Sequence, residues 1–204
     1  MGIDSVGSRN GMYRAFRFWR IEVLALALLC AGMGGCVASE AGRKTQAPPF
    51  DQELIWLSYH FNVRVDGRAL ILRSGVGTYT DTIEGDVTGA DVGDLNRDGF
   101  PEVLVYLSSS DSNRYGSVVG YSSNRGKSMS LLYAPLATKE AKYAPGYHGH
   151  DEFAIVEDTL IQRFPISPEE RITSESGPTM RQIQYRLVDG EAGRKLVVSK
   201  VVEY

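Results

Sequence analysis

The sequence predicts an all-β fold, an antiparallel β-sandwich or open barrel of about eight to ten strands with little helix. Three observations carry this expectation. Short runs rich in Val, Ile, Leu, Tyr and Thr recur at near-regular spacing, separated by turn residues such as Asp-Gly and Asn-Arg-Gly. Residues 181–188 alternate, with Ile183, Tyr185 and Leu187 on one face and Gln182, Gln184 and Arg186 on the other, the period of a half-buried strand. Helical period is missing from every long segment. The best candidate, residues 138–143, is short and is stopped by Pro145-Gly146.

The strands follow in chain order. Residues 61–65 and 68–72 flank Asp66-Gly67, a strong hairpin signal because turn residues must accept positive φ. Residues 74–79 are Gly-rich but lack the Lys and the helix of a phosphate loop, so they read as a loop at a strand end. Residues 102–107 (EVLVYL) form a continuous apolar run of strand length and predict a central strand. Residues 117–121 and 129–133 are joined by Asn124-Arg125-Gly126. Residues 153–156 and 160–166 surround Glu157-Asp158-Thr159. Asp189-Gly190 turns the chain from residues 181–188 into the Val-rich residues 195–204. No repeat is visible, so a propeller or solenoid is not expected.

The first 35 residues read as a targeting signal. Arg9, Arg14, Arg17 and Arg20 precede a short apolar run at residues 23–31, and small residues lead to Cys36. Met12 offers a second start. A Cys after Gly34-Gly35 is similar to a bacterial lipobox, in which the thiol is lipidated; the alternative is an ordinary cleaved signal with an incidental Cys. Val37 stands where Asp would retain a lipoprotein at the inner membrane, so the expected location is the periplasm, lipid-anchored at the outer membrane. Residues 36–49 are polar, end in Pro48-Pro49 and read as a flexible tether.

The domain is then residues 50–204, long enough to bury roughly 70% of its unfolded surface. Cys30 leaves with the signal, so no disulfide pair remains and the core must hold the fold. The whole chain has 22 Lys+Arg and 25 Asp+Glu, a formal charge of −3. With no basic patch, nucleic acid is not the expected partner. With no apolar stretch of spanning length, the expected membrane contact is through the lipid alone.

Three constellations carry candidate chemistry. In residues 94–102, Asp94, Asn96 and Asp98 occupy positions one, three and five of a calcium-type loop, with Gly99 next; the Phe100 carbonyl and Glu102 can complete it. Alternate oxygens converge on one cation while Gly permits the sharp turn. The other reading is an Asx turn capping backbone amides. Residues 108–116 are packed with small polar residues. They read either as a recognition loop with Arg114 and Tyr115 as anchors or as a plain polar turn. His148 and His150 beside Asp151 and Glu152 suggest a metal or acid–base site, or a structural role in which His150 or Asp151 holds a loop against the sheet. His60 is the remaining His, and no nucleophile elbow or cofactor fingerprint is present.

Several collinear blocks then carry a resemblance. They are Val87-Thr88-Gly89-Ala90-Asp91-Val92-Gly93-Asp94-Leu95-Asn96-Arg97-Asp98-Gly99, Pro101-Glu102-Val103-Leu104-Val105-Tyr106 and Tyr115-Gly116-Ser117. Gly146-Tyr147-His148-Gly149-His150-Asp151-Glu152-Phe153-Ala154, Arg163-Phe164-Pro165-Ile166 and Arg181-Gln182-Ile183-Gln184-Tyr185 continue the series, which ends on Gly190-Glu191-Ala192-Gly193. In these blocks the chain resembles the periplasmic inhibitors of invertebrate-type lysozyme. The resemblance implies a β fold without catalytic activity or a required cofactor, and a Ser-Gly-x-Tyr loop that enters the lysozyme's substrate cleft. That pattern falls on Ser112, Asn113, Arg114 and Tyr115, with Asn113 in place of Gly; Asn tolerates left-handed φ and is expected to preserve the loop's shape. The alternative function is a calcium-binding structural or adhesion lipoprotein of the cell envelope built on Asp94, Asn96, Asp98, Phe100 and Glu102.

Overall fold

The computed structural model describes residues 50–167, 180–191 and 193–204; the segments read as targeting signal and tether, with Cys36, lie outside the described residues. The described chain forms β1 (Asp51–Trp56), β2 (Tyr59–Asp66), β3 (Ala69–Ser74), β4 (Gly77–Thr82), β5 (Asp86–Gly93), β6 (Glu102–Ser108), β7 (Gly116–Ser123), β8 (Met129–Leu132), β9 (Glu152–Val156), β10 (Thr159–Pro165), β11 (Met180–Gly190) and β12 (Gly193–Glu203). The all-β expectation holds. These strands make three four-stranded antiparallel meanders, β1 to β4, β5 to β8 and β9 to β12. The helix expected at residues 138–143 shrinks to a single 3₁₀ turn, Ala137–Lys139.

Twelve strands exceed the expected eight to ten, and the three added are β1, β4 and β5. All three are edge strands of their sheets. β1 buries only Leu54, and β4 buries no residue at all. Strands that bury so little carry no alternating apolar pattern, and β5 holds Asp86, Gly89, Asp91 and Gly93, residue types that strands avoid. The β2–β3 hairpin also turns one residue later than expected. Asp66 pairs with Ala69, leaving Gly67 and Arg68 as the turn, and Gly67 alone takes a φ of 60°.

β6 explains the layering. Its whole length is buried. Val103, Val105 and Leu107 pack with Leu54, Phe61, Val63, Leu70 and Leu72 of the first sheet. Leu104 and Tyr106 pack with Leu160, Phe164, Ile183, Tyr185 and Leu196 of the third. The middle sheet is therefore an interior layer with a core on each face, which is why β6 is apolar at every internal position instead of alternating. Each fully buried Leu or Val contributes about 1.5–3 kcal/mol.

Beyond β8 the chain crosses to the third sheet through residues 133–151. Arg181, fully buried, holds this crossing down: its guanidinium donates to the carbonyls of Tyr143 (2.6 Å) and Pro145 (2.7 Å) and pairs with Glu203 at 2.8 Å. Residues 109–115 and residues 94–101 leave opposite ends of β6, so the two candidate loops sit at opposite poles of the middle sheet.

Candidate functional site

Residues 109–115 form the β6–β7 connection, and Asp111, Ser112, Asn113, Arg114 and Tyr115 are all exposed. The loop closes on itself. Ser109 N donates to Tyr115 O at 2.9 Å, and Tyr115 N donates back to Ser109 Oγ at 2.8 Å. Asp111 Oδ1 accepts from Asn113 N (2.8 Å) and Arg114 N (3.1 Å), an Asx turn at the tip. The left-handed residue is Arg114, with a φ of 50°, and Asn113 is not among the positive-φ residues. The expectation that Asn113 supplies that conformation is corrected. Its side chain does something else: Asn113 Nδ2 donates to Tyr115 Oη at 3.1 Å. The phenol oxygen is thereby used as an acceptor, and its own proton is left to donate outward.

The loop is braced by the end of the crossing, residues 147–151. His150 N donates to Asn113 O at 2.9 Å, and the Tyr115 and Tyr147 rings lie 5.6 Å apart. Gly149, at a φ of +85°, presses so close that a Cβ there would run into the Asn113 carbonyl. Asp151 is the hub. Its Oδ2 accepts from Gly116 N (2.7 Å) and Tyr147 Oη (2.6 Å), and its Oδ1 from Gln162 Nε2 (2.6 Å). Behind it, Tyr185 Oη donates to Gln162 Oε1 at 2.6 Å and accepts from Ala137 N at 2.9 Å. Burial and then the bond to Asp151 push the Tyr147 phenol up, so it stays a donor. The structural role expected of Asp151 and His150 is thus what the geometry contains. His148 and His150 are both exposed on this brace, whereas His60 lies on β2 of the first sheet. Among the described residues no group of three or more His, Cys, Asp or Glu is arranged to hold a metal ion.

At the other pole, residues 94–102 fold into a net of Asx turns. Asp94 accepts from Asp98 N (3.0 Å) and Gly99 N (2.8 Å), Asn96 Oδ1 from Asp98 N (3.2 Å), and Asp98 Oδ1 from Phe100 N (2.9 Å). Glu102 is fully buried; its Oε2 accepts from Leu95 N and its Oε1 from Ser122 Oγ, each at 2.8 Å. Arg194, at the start of β12, reaches in between Asp98 and Glu102. Arg97 pairs with Asp158 at 2.5 Å across to the β9–β10 turn, a surface pair with an exposed guanidinium that adds little.

Burial pushes the Glu102 carboxyl up from 4.5 to about 7, against the pull of Leu95 N, Ser122 and Arg194. Between those two values the folded state keeps a proton that the unfolded state has released. Stability therefore falls as pH rises through this window, and the full cost, up to about 3 kcal/mol, is in place above it. Denaturant unfolding in EDTA at about pH 5 and about pH 8 should show this loss, and Glu102→Gln should flatten it. An identical pH slope in the two proteins would remove Glu102 as its source.

Two participants escaped the sequence reading. Gln162 and Arg194 each sit in a strand as an ordinary polar residue, and their partners are 11 and 92 positions away, so no local signal marks them. No family model, no characterised protein and no solved structure matches this chain.

Proposed function

We propose that this protein is an exported, non-catalytic inhibitor of a lysozyme, of invertebrate type, that blocks the enzyme's substrate cleft with Ser112, Asn113, Arg114 and Tyr115. One observation carries the reading: Ser112 and Tyr115 stand exposed on a closed loop that is anchored through Asp151 and Gly149. A preorganised loop loses little conformational entropy on binding, so more of its contact energy appears as affinity.

The chemistry fits a glycosidase cleft. Such enzymes flank the scissile bond with two carboxyl groups. A Tyr115 hydroxyl whose oxygen already accepts from Asn113 turns its proton toward an outside acceptor, and a hydrogen bond to a carboxylate is of the stronger, charge-assisted kind. Ser112 offers a second hydroxyl, Arg114 a cation, and the Tyr115 ring an apolar plate for a sugar subsite. Tethering through Cys36 would keep the inhibitor in the envelope.

The test is titration of the purified exported form against lysozymes of several types. The expected result is stoichiometric inhibition of the invertebrate type, with the enzyme captured on the immobilised domain. Full activity of every lysozyme at excess domain rejects the proposal.

A further inference from the structure

We propose that the cation of the calcium-type loop at residues 94–102 is the guanidinium of Arg194, so that the loop closes on a charge carried by its own chain. Positions five and nine of the loop both face that group. Arg194 Nη2 lies 2.6 Å from Asp98 Oδ2, and Nη1 lies 3.4 Å from Glu102 Oε1. Nη1 also donates to Ser122 Oγ at 2.5 Å and to Ser123 O at 3.0 Å, and Nε lies 3.6 Å from Asp189 Oδ1. A planar guanidinium points its donors in several fixed directions at once, so one side chain serves three carboxylates, a hydroxyl and a carbonyl.

The remaining loop oxygens are turned to another task. Both oxygens of Asp94 and the Oδ1 of Asn96 accept backbone amides. Calcium asks for six to eight oxygen ligands drawn from such positions. Glu102 is fully buried, and a buried carboxylate requires a nearby positive charge or a proton. Arg194 supplies the charge from β12, in the third sheet, while the loop belongs to the middle sheet. The guanidinium thus does what a bound ion does in loops of this pattern: it gathers the carboxylates, and it also ties two layers together.

Removing the guanidinium leaves Asp98 Oδ2, Glu102 Oε1 and the Ser123 carbonyl without it, an oxygen-lined gap for a hard divalent cation. The experiment is thermal melting of the exported chain in EDTA and in about 5 mM Ca²⁺, above the affinity range of weak extracellular sites. The wild type should melt at the same temperature in both, within about 1 °C. Arg194→Gln should melt about 6–12 °C lower in EDTA and regain at least half of that loss in Ca²⁺. Arg194→Lys keeps one charge but not the fork, and should fall between them with a smaller response. A folded variant of either kind that ignores Ca²⁺ overturns the proposal. So does a wild type whose melting point climbs with Ca²⁺, or that binds about one ion per chain in calorimetry, and this last measurement decides even where neither variant folds.

Discussion

Replacing Ser112 and Tyr115 together by Ala should weaken inhibition by about 100-fold or more while the melting temperature falls by less than about 3 °C. The two effects separate because the residues face outward. Tyr115 is 39% exposed, and its side chain meets the Tyr147 ring and the Asn113 amide. Truncating an interface Tyr typically costs about 2–4 kcal/mol of binding, and the lost Ser hydroxyl adds to it. Tyr115→Phe isolates the hydroxyl: about a tenfold loss is expected if it bonds a carboxylate in the cleft. Inhibition constants and melting curves of the three proteins decide. Undiminished inhibition by the double variant would mean that another surface makes the contact.

Asp151→Ala should lower the melting temperature by about 6–12 °C and weaken inhibition with it. The carboxylate serves three donors from three places: Gly116 N at the base of the loop, Tyr147 Oη on the brace, and Gln162 Nε2 in β10. Each part-buried donor left without an acceptor costs about 1–3 kcal/mol. The loop itself stays intact in sequence, so the loss of inhibition would measure what preorganisation contributes. A melting curve equal to that of the wild type would show that the hub does not hold the loop.

The legible parts of the fold are those whose signal is local. Residues 102–107 could be read as a central strand because a strand covered on both faces is apolar throughout, and both cores do meet on β6. Residues 181–188 alternate because β11 turns Ile183, Tyr185 and Leu187 into one core. β1 and β4 could not be read because they bury one residue and none, so no apolar alternation marks them, and β5 could not because Asp86, Gly89, Asp91 and Gly93 are residue types that strands avoid. The loop at residues 109–115 was legible as a polar connection. Its stiffness was not, since Gly116 meets Asp151 across 35 positions.

The amino-acid order alone therefore determined that this chain builds antiparallel strands, and which polar segments join them, because turn chemistry and two-residue periodicity act between near neighbours. Only the tertiary structure decided that the sheets stack three deep, that the left-handed residue of the exposed loop is Arg114, and that Arg194 reaches the acidic loop from 92 positions beyond Glu102. Those outcomes depend on which surfaces meet when separate meanders bury their apolar faces together, and such meetings leave no trace in any short stretch of sequence.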